Sequence, residues 1–120
     1  MKTKCISNIC MGFKSLDNNV MFFDIDKSKI EDLTRKGFIA TTDMEFMTKN
    51  CNIFFICVPT PDKNGEIDLS IIKSVIEKLS ILCRNKDEYF LMVIKSTIIP
   101  TTTEKIIIPL IQRCANKSVG

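Results

Sequence analysis

Apolar residues gather in short blocks along this chain, separated by polar stretches with helical spacing. Val20-Met21-Phe22-Phe23 closes on Asp24, and Ile53-Phe54-Phe55-Ile56-Cys57-Val58 closes on Pro59-Thr60-Pro61. Phe90-Leu91-Met92-Val93-Ile94 closes on Lys95-Ser96-Thr97, and Thr3 to Ile9 reads as a further short strand. Continuous rather than alternating apolarity marks strands buried on both faces, the habit of parallel sheets. Between the blocks, Asp26 is placed to cap a helix through Lys36, with Ile30 and Leu33 on one face and Gly37 as its stop. Asp62-Lys63-Asn64-Gly65 is turn chemistry. Asp68 then caps a helix whose Leu69, Ile72, Val75, Ile76, Leu79 and Leu82 recur at three- and four-residue steps. Thr101 to Thr103 open a last helix reaching about Ala115, which Pro109 should kink or split.

Strand, helix, strand, helix, strand, helix predicts an α/β fold with a mainly parallel sheet, layered as an α/β/α sandwich. At 120 residues and 13.7 kDa the chain has room for a single domain over 1–120 with a core of its own. Ligands of such sheets bind outside the carboxyl ends of the strands. Those ends carry Asp24, Thr60 and Thr97.

Composition narrows the chemistry. The net charge of +3, from 17 basic and 14 acidic residues, is weak and interspersed, so neither nucleic acid nor a membrane surface is expected as a partner. The absence of His removes His-based triads and His metal ligands. Six Cys at 5, 10, 51, 57, 83 and 114 form no C-x-x-C pair, which points away from a metal site and towards core-filling, reduced thiols. No signal-like start is present, and the longest apolar run, Ile53 to Val58, is far short of the roughly 20 residues a membrane span needs. A cytoplasmic protein is expected.

Three segments occur together in order: Val20 to Lys29, Ile53 to Pro61 followed by Gly65-Glu66-Ile67-Asp68-Leu69-Ser70, and Val93 to Lys105. With their V-P-T-P and K-S-T motifs they resemble the N-terminal NAD-binding domain of the UDP-glucose/GDP-mannose dehydrogenase family, from Val20 to about Gln112. The resemblance implies a Rossmann-like fold, NAD as cofactor and a UDP-sugar as substrate, of the UDP-glucose or UDP-N-acetylhexosamine type. It also implies residue roles. An acid ending the second Rossmann strand accepts hydrogen bonds from the adenosine ribose, and Asp24 stands there. Lys29 matches a position near the same ribose, and Thr60 one that contacts the cofactor. Thr97 matches one near the nicotinamide and the reacting carbon. Read without the resemblance, Asp24 or Asp26 is a helix cap, Lys29 a solvated charge, and the threonines are turn hydroxyls.

The family pattern is also broken in places. Where G-x-G-x-x-G should follow the first strand, the chain has Ser7-Asn8-Ile9-Cys10-Met11-Gly12, and only the third glycine, Gly12, survives. Only residues 10 to 19 separate Ile9 from Val20, whereas a parallel crossover needs about a dozen or more, so the first βα unit is expected to be shortened. A second gap follows Gly37, ahead of Thr41-Thr42-Asp43, and Thr101 stands where the family often has Gly. Family members oxidise a sugar alcohol twice, to the acid, with two NAD and a Cys nucleophile from later domains. Those domains are expected to be absent here, and no nucleophile is carried over to any of the six Cys.

The expectation is therefore the NAD-binding part of a nucleotide-sugar dehydrogenase, truncated or degenerate, working with a separate catalytic chain or as a homo-oligomer. Two other readings stand beside it. A remnant of this kind can serve as a non-catalytic binding or oligomerisation module. Asp24-Ile25-Asp26-Lys27-Ser28 also matches the D-x-D-x-[ST] opening of a haloacid-dehalogenase-like phosphatase.

Overall fold

The computed structural model describes residues 12, 17 and 19–120, which fall into two compact units meeting in sequence at Cys51 and Asn52. The expected Thr3–Ile9 strand, the Ser7–Met11 part of the loop and the shortened first crossover lie outside the described residues.

The first unit contains β1 (Met21–Phe23), α1 (Lys27–Arg35), β2 (Ile39–Thr41) and α2 (Met44–Asn50). Asp26 caps α1 as its position in the sequence predicts. One of its carboxylate oxygens accepts from the Ser28 amide at 3.0 Å and from the Ser28 hydroxyl at 2.6 Å. Those bonds favour the charged form and hold the Asp26 carboxyl below its ordinary value. Gly37, at φ 86°, stops the helix in the left-handed conformation that suits glycine. Its amide reaches the Thr34 carbonyl while the Phe38 amide reaches that of Leu33, the paired bonds of a Schellman ending. The chain can then turn back, and β2 pairs parallel with β1, Met21 opposite Ile39. Phe22 is buried on β1, its ring edge-on to Phe38 at 5.3 Å.

The second unit contains β3 (Ile53–Ile56), β4 (Asp62–Lys63), β5 (Glu66–Ile67), α3 (Ser70–Cys83), β6 (Leu91–Ile94) and α4 (Ile108–Ala115). β3 and β6 pair parallel, Ile53 opposite Leu91 and Ile56 opposite Ile94. Asn64 and Gly65 both take positive φ, 55° and 81°, which makes the predicted turn a two-residue hairpin joining β4 to β5. On α3 the buried stripe is Ile72, Ile76, Leu79, Ser80 and Cys83, against which α4 packs. Val75 and Leu82 are only half-buried. The Asp68 carboxylate accepts from the Ser70 amide at 2.9 Å at the start of that helix.

The last helix departs from expectation. Residues Thr103–Ile107 form a π-helical turn, and the α-helix proper starts at Ile108. The Ile108 amide bonds the Thr103 carbonyl, five residues back. Pro109 thus follows directly on the π-helical turn, and with Ile107 and Ile108 both in right-handed helical conformation the run changes hydrogen-bond register there rather than breaking.

Thr101 carries the local strain. Its φ of 70° puts a β-branched residue in the left-handed region, at the position where the sequence has Thr in place of the family's Gly. Thr101→Gly should raise the thermal midpoint. Relief of about 1–2 kcal/mol of steric cost exceeds the roughly 0.5–1 kcal/mol of added chain entropy. A lowered midpoint would remove the claim of strain.

Among the described residues the strands pair two by two, two pairs parallel and one antiparallel. The α/β class read from the sequence is the class observed.

Candidate functional site

The candidate residues sit just past the strand ends, in two groups. Asp24 directly follows β1, and its side chain is only 20% exposed. Its Oδ1 accepts the Asp26 amide at 3.0 Å. Its Oδ2 lies 3.8 Å from the Lys29 Nζ, which is also 3.9 Å from the Asp26 Oδ2. These ion pairs are longer than hydrogen bonds, so Lys29 offsets the two carboxylates without occupying the Oδ2 lone pairs of Asp24. Strand and cap together hold a carboxylate with one oxygen committed to the backbone and the other able to accept. Ile25, beside it, is 86% exposed.

The second group joins the ends of β3 and β6. The ladder closes where the Lys95 amide donates to the Ile56 carbonyl at 2.9 Å. Beyond that point Pro59 and Pro61 have no N–H to give. Hydroxyls take over: Ser96 Oγ donates to the Val58 carbonyl at 2.8 Å, and Thr60 Oγ1 donates to the Thr97 carbonyl at 2.7 Å.

The structure thus brings Asp24 to Lys29 and Thr60 to Thr97. Gly12 is helical and exposed, and a Cβ added there would meet nothing within 4 Å. Sequence reasoning missed Ser96. The available signal was a hydroxyl residue facing a strand end whose next residues alternate with proline.

The cysteines offer little chemistry. Cys83 and Cys114 are buried, and desolvation pushes the Cys83 thiol up, away from the thiolate a nucleophile needs. Among the described residues no group of three or more His, Cys, Asp or Glu could hold a metal ion. Nor is any helix among them long and apolar enough to cross a membrane. The phosphatase reading needs Asp26 as an acid/base, but its carboxylate caps α1.

Comparison with known proteins gives the family. The UDP-glucose/GDP-mannose dehydrogenase family, NAD binding domain, matches residues 33–120, a span that runs through both compact units. The GDP-mannose 6-dehydrogenase of Pseudomonas aeruginosa is 38% identical over 81 residues, covering 67% of this chain and 19% of that protein. Its counterpart in Pseudomonas syringae pv. tomato is 32% identical over 137 residues, covering 96% of this chain and 31% of the relative. That alignment is longer than the 120 residues of this chain, so the relative holds residues without a counterpart here. The UDP-glucose 6-dehydrogenase of Haloferax volcanii is 37% identical over 82 residues, covering 68% of this chain and 19% of that one.

A crystal structure of a ternary complex of the Pseudomonas aeruginosa GDP-mannose dehydrogenase superposes with a TM-score of 0.84 at 28% identity, over 92% of this chain and 30% of that one. The UDP-glucose dehydrogenase of Pyrobaculum islandicum, at 22% identity, shares the fold with a TM-score of 0.78 over 91% of this chain and 30% of that one. The chain spans less than a third of the length of these relatives. It belongs to the UDP-glucose/GDP-mannose dehydrogenase family, within that family's NAD-binding domain.

Proposed function

We propose that this chain is the NAD-binding portion of an oxidoreductase that converts a nucleotide sugar to its uronic acid, with Asp24 as the anchor of the adenosine ribose. The observation that carries the reading is the half-committed carboxylate past the end of β1, one oxygen fixed by the Asp26 amide and the other able to accept. A vicinal diol needs such an acceptor, and a partly buried carboxylate makes the stronger, charge-assisted bond. Lys29, held at 3.8 Å, places a compensating positive charge beside it.

By the same resemblance the second group is read as contacting NAD too. The Thr60 hydroxyl donates its hydrogen bond to the Thr97 carbonyl, so it meets a ligand as an acceptor, while the exposed Thr97 hydroxyl can donate or accept. NAD, when bound, supplies the hydride acceptor; the residues here bind and orient it. No nucleophile is assigned, and Cys83 is too buried to be one. We read residues 1–120 as one domain, supported by a family match that runs across both units.

The substrate is read as a nucleoside diphosphate sugar. The relatives include enzymes named for GDP-mannose and for UDP-glucose, which gives the UDP-sugar expectation no special support. The partners proposed are a catalytic chain that supplies the remaining chemistry, or a second copy of this chain in a homo-oligomer.

An NADH fluorescence titration with NAD⁺ as competitor tests the proposal. Saturable, competed binding in the micromolar to low-millimolar range is expected. No binding up to millimolar NADH would overturn it. Concentration-dependent self-association without nucleotide affinity would then favour the non-catalytic module, and magnesium-dependent phosphate-ester hydrolysis the phosphatase.

A further inference from the structure

Past the last backbone rung between β3 and β6, two side chains from opposite strand ends reach across to each other's loop. Ser96, on the β6 side, donates to the Val58 carbonyl on the β3 side at 2.8 Å. Thr60, on the β3 side, donates to the Thr97 carbonyl on the β6 side at 2.7 Å. The Ser96 hydroxyl also lies 3.5 Å from the Ile56 carbonyl, which already accepts the Lys95 amide, so the backbone ladder from Ile53 and Leu91 is complete without the side-chain bonds. What the two bonds fix is the spacing of the segments beyond the sheet. Pro59 and Pro61 remove two backbone donors from the β3 segment, which leaves more of its placement to side-chain hydroxyls.

We propose that Ser96 is a positioning residue for the cofactor. By pinning the Val58 carbonyl, its hydroxyl holds Thr60 in reach of Thr97, so that both meet the ligand at one fixed separation. The inference rests on the NAD reading above, in which those two threonines face the cofactor. It also fixes polarity. With the clamp closed, the Thr60 proton points into the protein, and the loop presents an acceptor to a donating group such as a carboxamide NH₂ or a sugar hydroxyl. With the clamp open, Thr60 is released to turn its own proton outwards, and the match to a donor is lost.

The test compares Ser96→Ala with Ser96→Thr, which restores the hydroxyl, in the full chain. Three measurements are made: NADH affinity, thermal midpoint, and the amide NMR shifts of Thr60 and Thr97 without ligand. The proposal expects Ser96→Ala to weaken NADH about 5- to 10-fold, the scale of one lost hydrogen bond. Both amide shifts should move, the midpoint should stay near that of the parent, and Ser96→Thr should recover most of the affinity. Equal NADH affinity in the parent and Ser96→Ala, with the amides moved, would overturn the positioning role and leave the NAD reading intact. Weakened affinity in both variants together with a fallen midpoint would make Ser96 merely structural, and overturn it too. A parent chain that shows no saturable NADH binding fails the NAD reading itself, and this inference with it.

Discussion

Replacing Ile76 by Ala should destabilise the folded chain by about 2–5 kcal/mol, the range for deleting a large aliphatic side chain from a packed core. Ile76 is 0% exposed in the middle of α3, between Ile72 and Leu79 on the stripe that α4 covers. Removing it loses the transfer free energy of the buried carbons and leaves a cavity that two helices pinned at their ends cannot easily close. The pins are the Arg84 Nε bond to the Cys114 carbonyl at 3.0 Å and the Lys117 ammonium bond to the Lys86 carbonyl. Small domains are stable by only about 5–15 kcal/mol, so the urea midpoint should fall by a large fraction. Ile81→Ala provides the comparison, because Ile81 lies on the same helix but is 48% exposed. Its unfolding free energy should stay within about 0.5 kcal/mol of the parent's, helped by the better helix propensity of Ala. Similar losses in the two variants would mean that α3 does not bury the face described.

Asp24→Ala should weaken NAD binding by about 1–3 kcal/mol, roughly 5- to 150-fold, the scale of a lost charge-assisted hydrogen bond. The side chain has a second task, since its Oδ1 accepts the Asp26 amide at the entry to α1. Asp24→Asn separates the two. It keeps an oxygen for that amide but loses the charge, and should sit between Ala and the parent in affinity while melting like the parent. Affinity unchanged in both variants removes the ribose assignment. Loss of affinity only in step with loss of folded protein would reduce Asp24 to a turn residue.

Signals carried by one residue type in one conformation were legible in the sequence. Asp26 as a cap, Gly37 as a stop and Asn64-Gly65 as a turn each stand where only a few residues are favourable. The long stripe of α3 was legible because its fourteen residues repeat the period several times. β2 and α2 were not read. Three strand residues and seven helical ones are too few to establish a period, and Asp43 as the cap of α2 is visible only once the helix is known. Ser80 and Cys83 joined the buried stripe unannounced, since small polar or soft side chains give no apolar signal. The π-helical turn escaped because it is a matter of hydrogen-bond register rather than composition.

The candidate site divides similarly. Strand ends followed by Asp24, Thr60 and Thr97 were readable from where the apolar blocks stop. The hydroxyl bonds between the second pair of ends were not, because they join residues 37 and 38 apart in sequence. Their partners are backbone carbonyls, which every residue possesses, so no motif encodes them. The Gly-to-Thr departure at position 101 was visible as an exception, and its cost became intelligible only with the φ of 70°.

The parallel register of β3 and β6 has a consequence for the chain during its synthesis. Ile53 must wait for Leu91, and the whole of α3 is made between them, whereas Met21 needs only Ile39. At translation rates of about 5–20 residues per second, β3 emerges some seconds before its partner exists. For that interval Phe54 and Ile56, both buried in the finished protein, are an apolar strand with an unpaired edge. The closure entropy of the longer loop adds only about 0.6 kcal/mol per doubling of length, so waiting time rather than thermodynamics is the hazard. Pro59 and Pro61, a few residues past the strand, then act in a further capacity: they limit the edge on which a nascent neighbour could add a strand of its own.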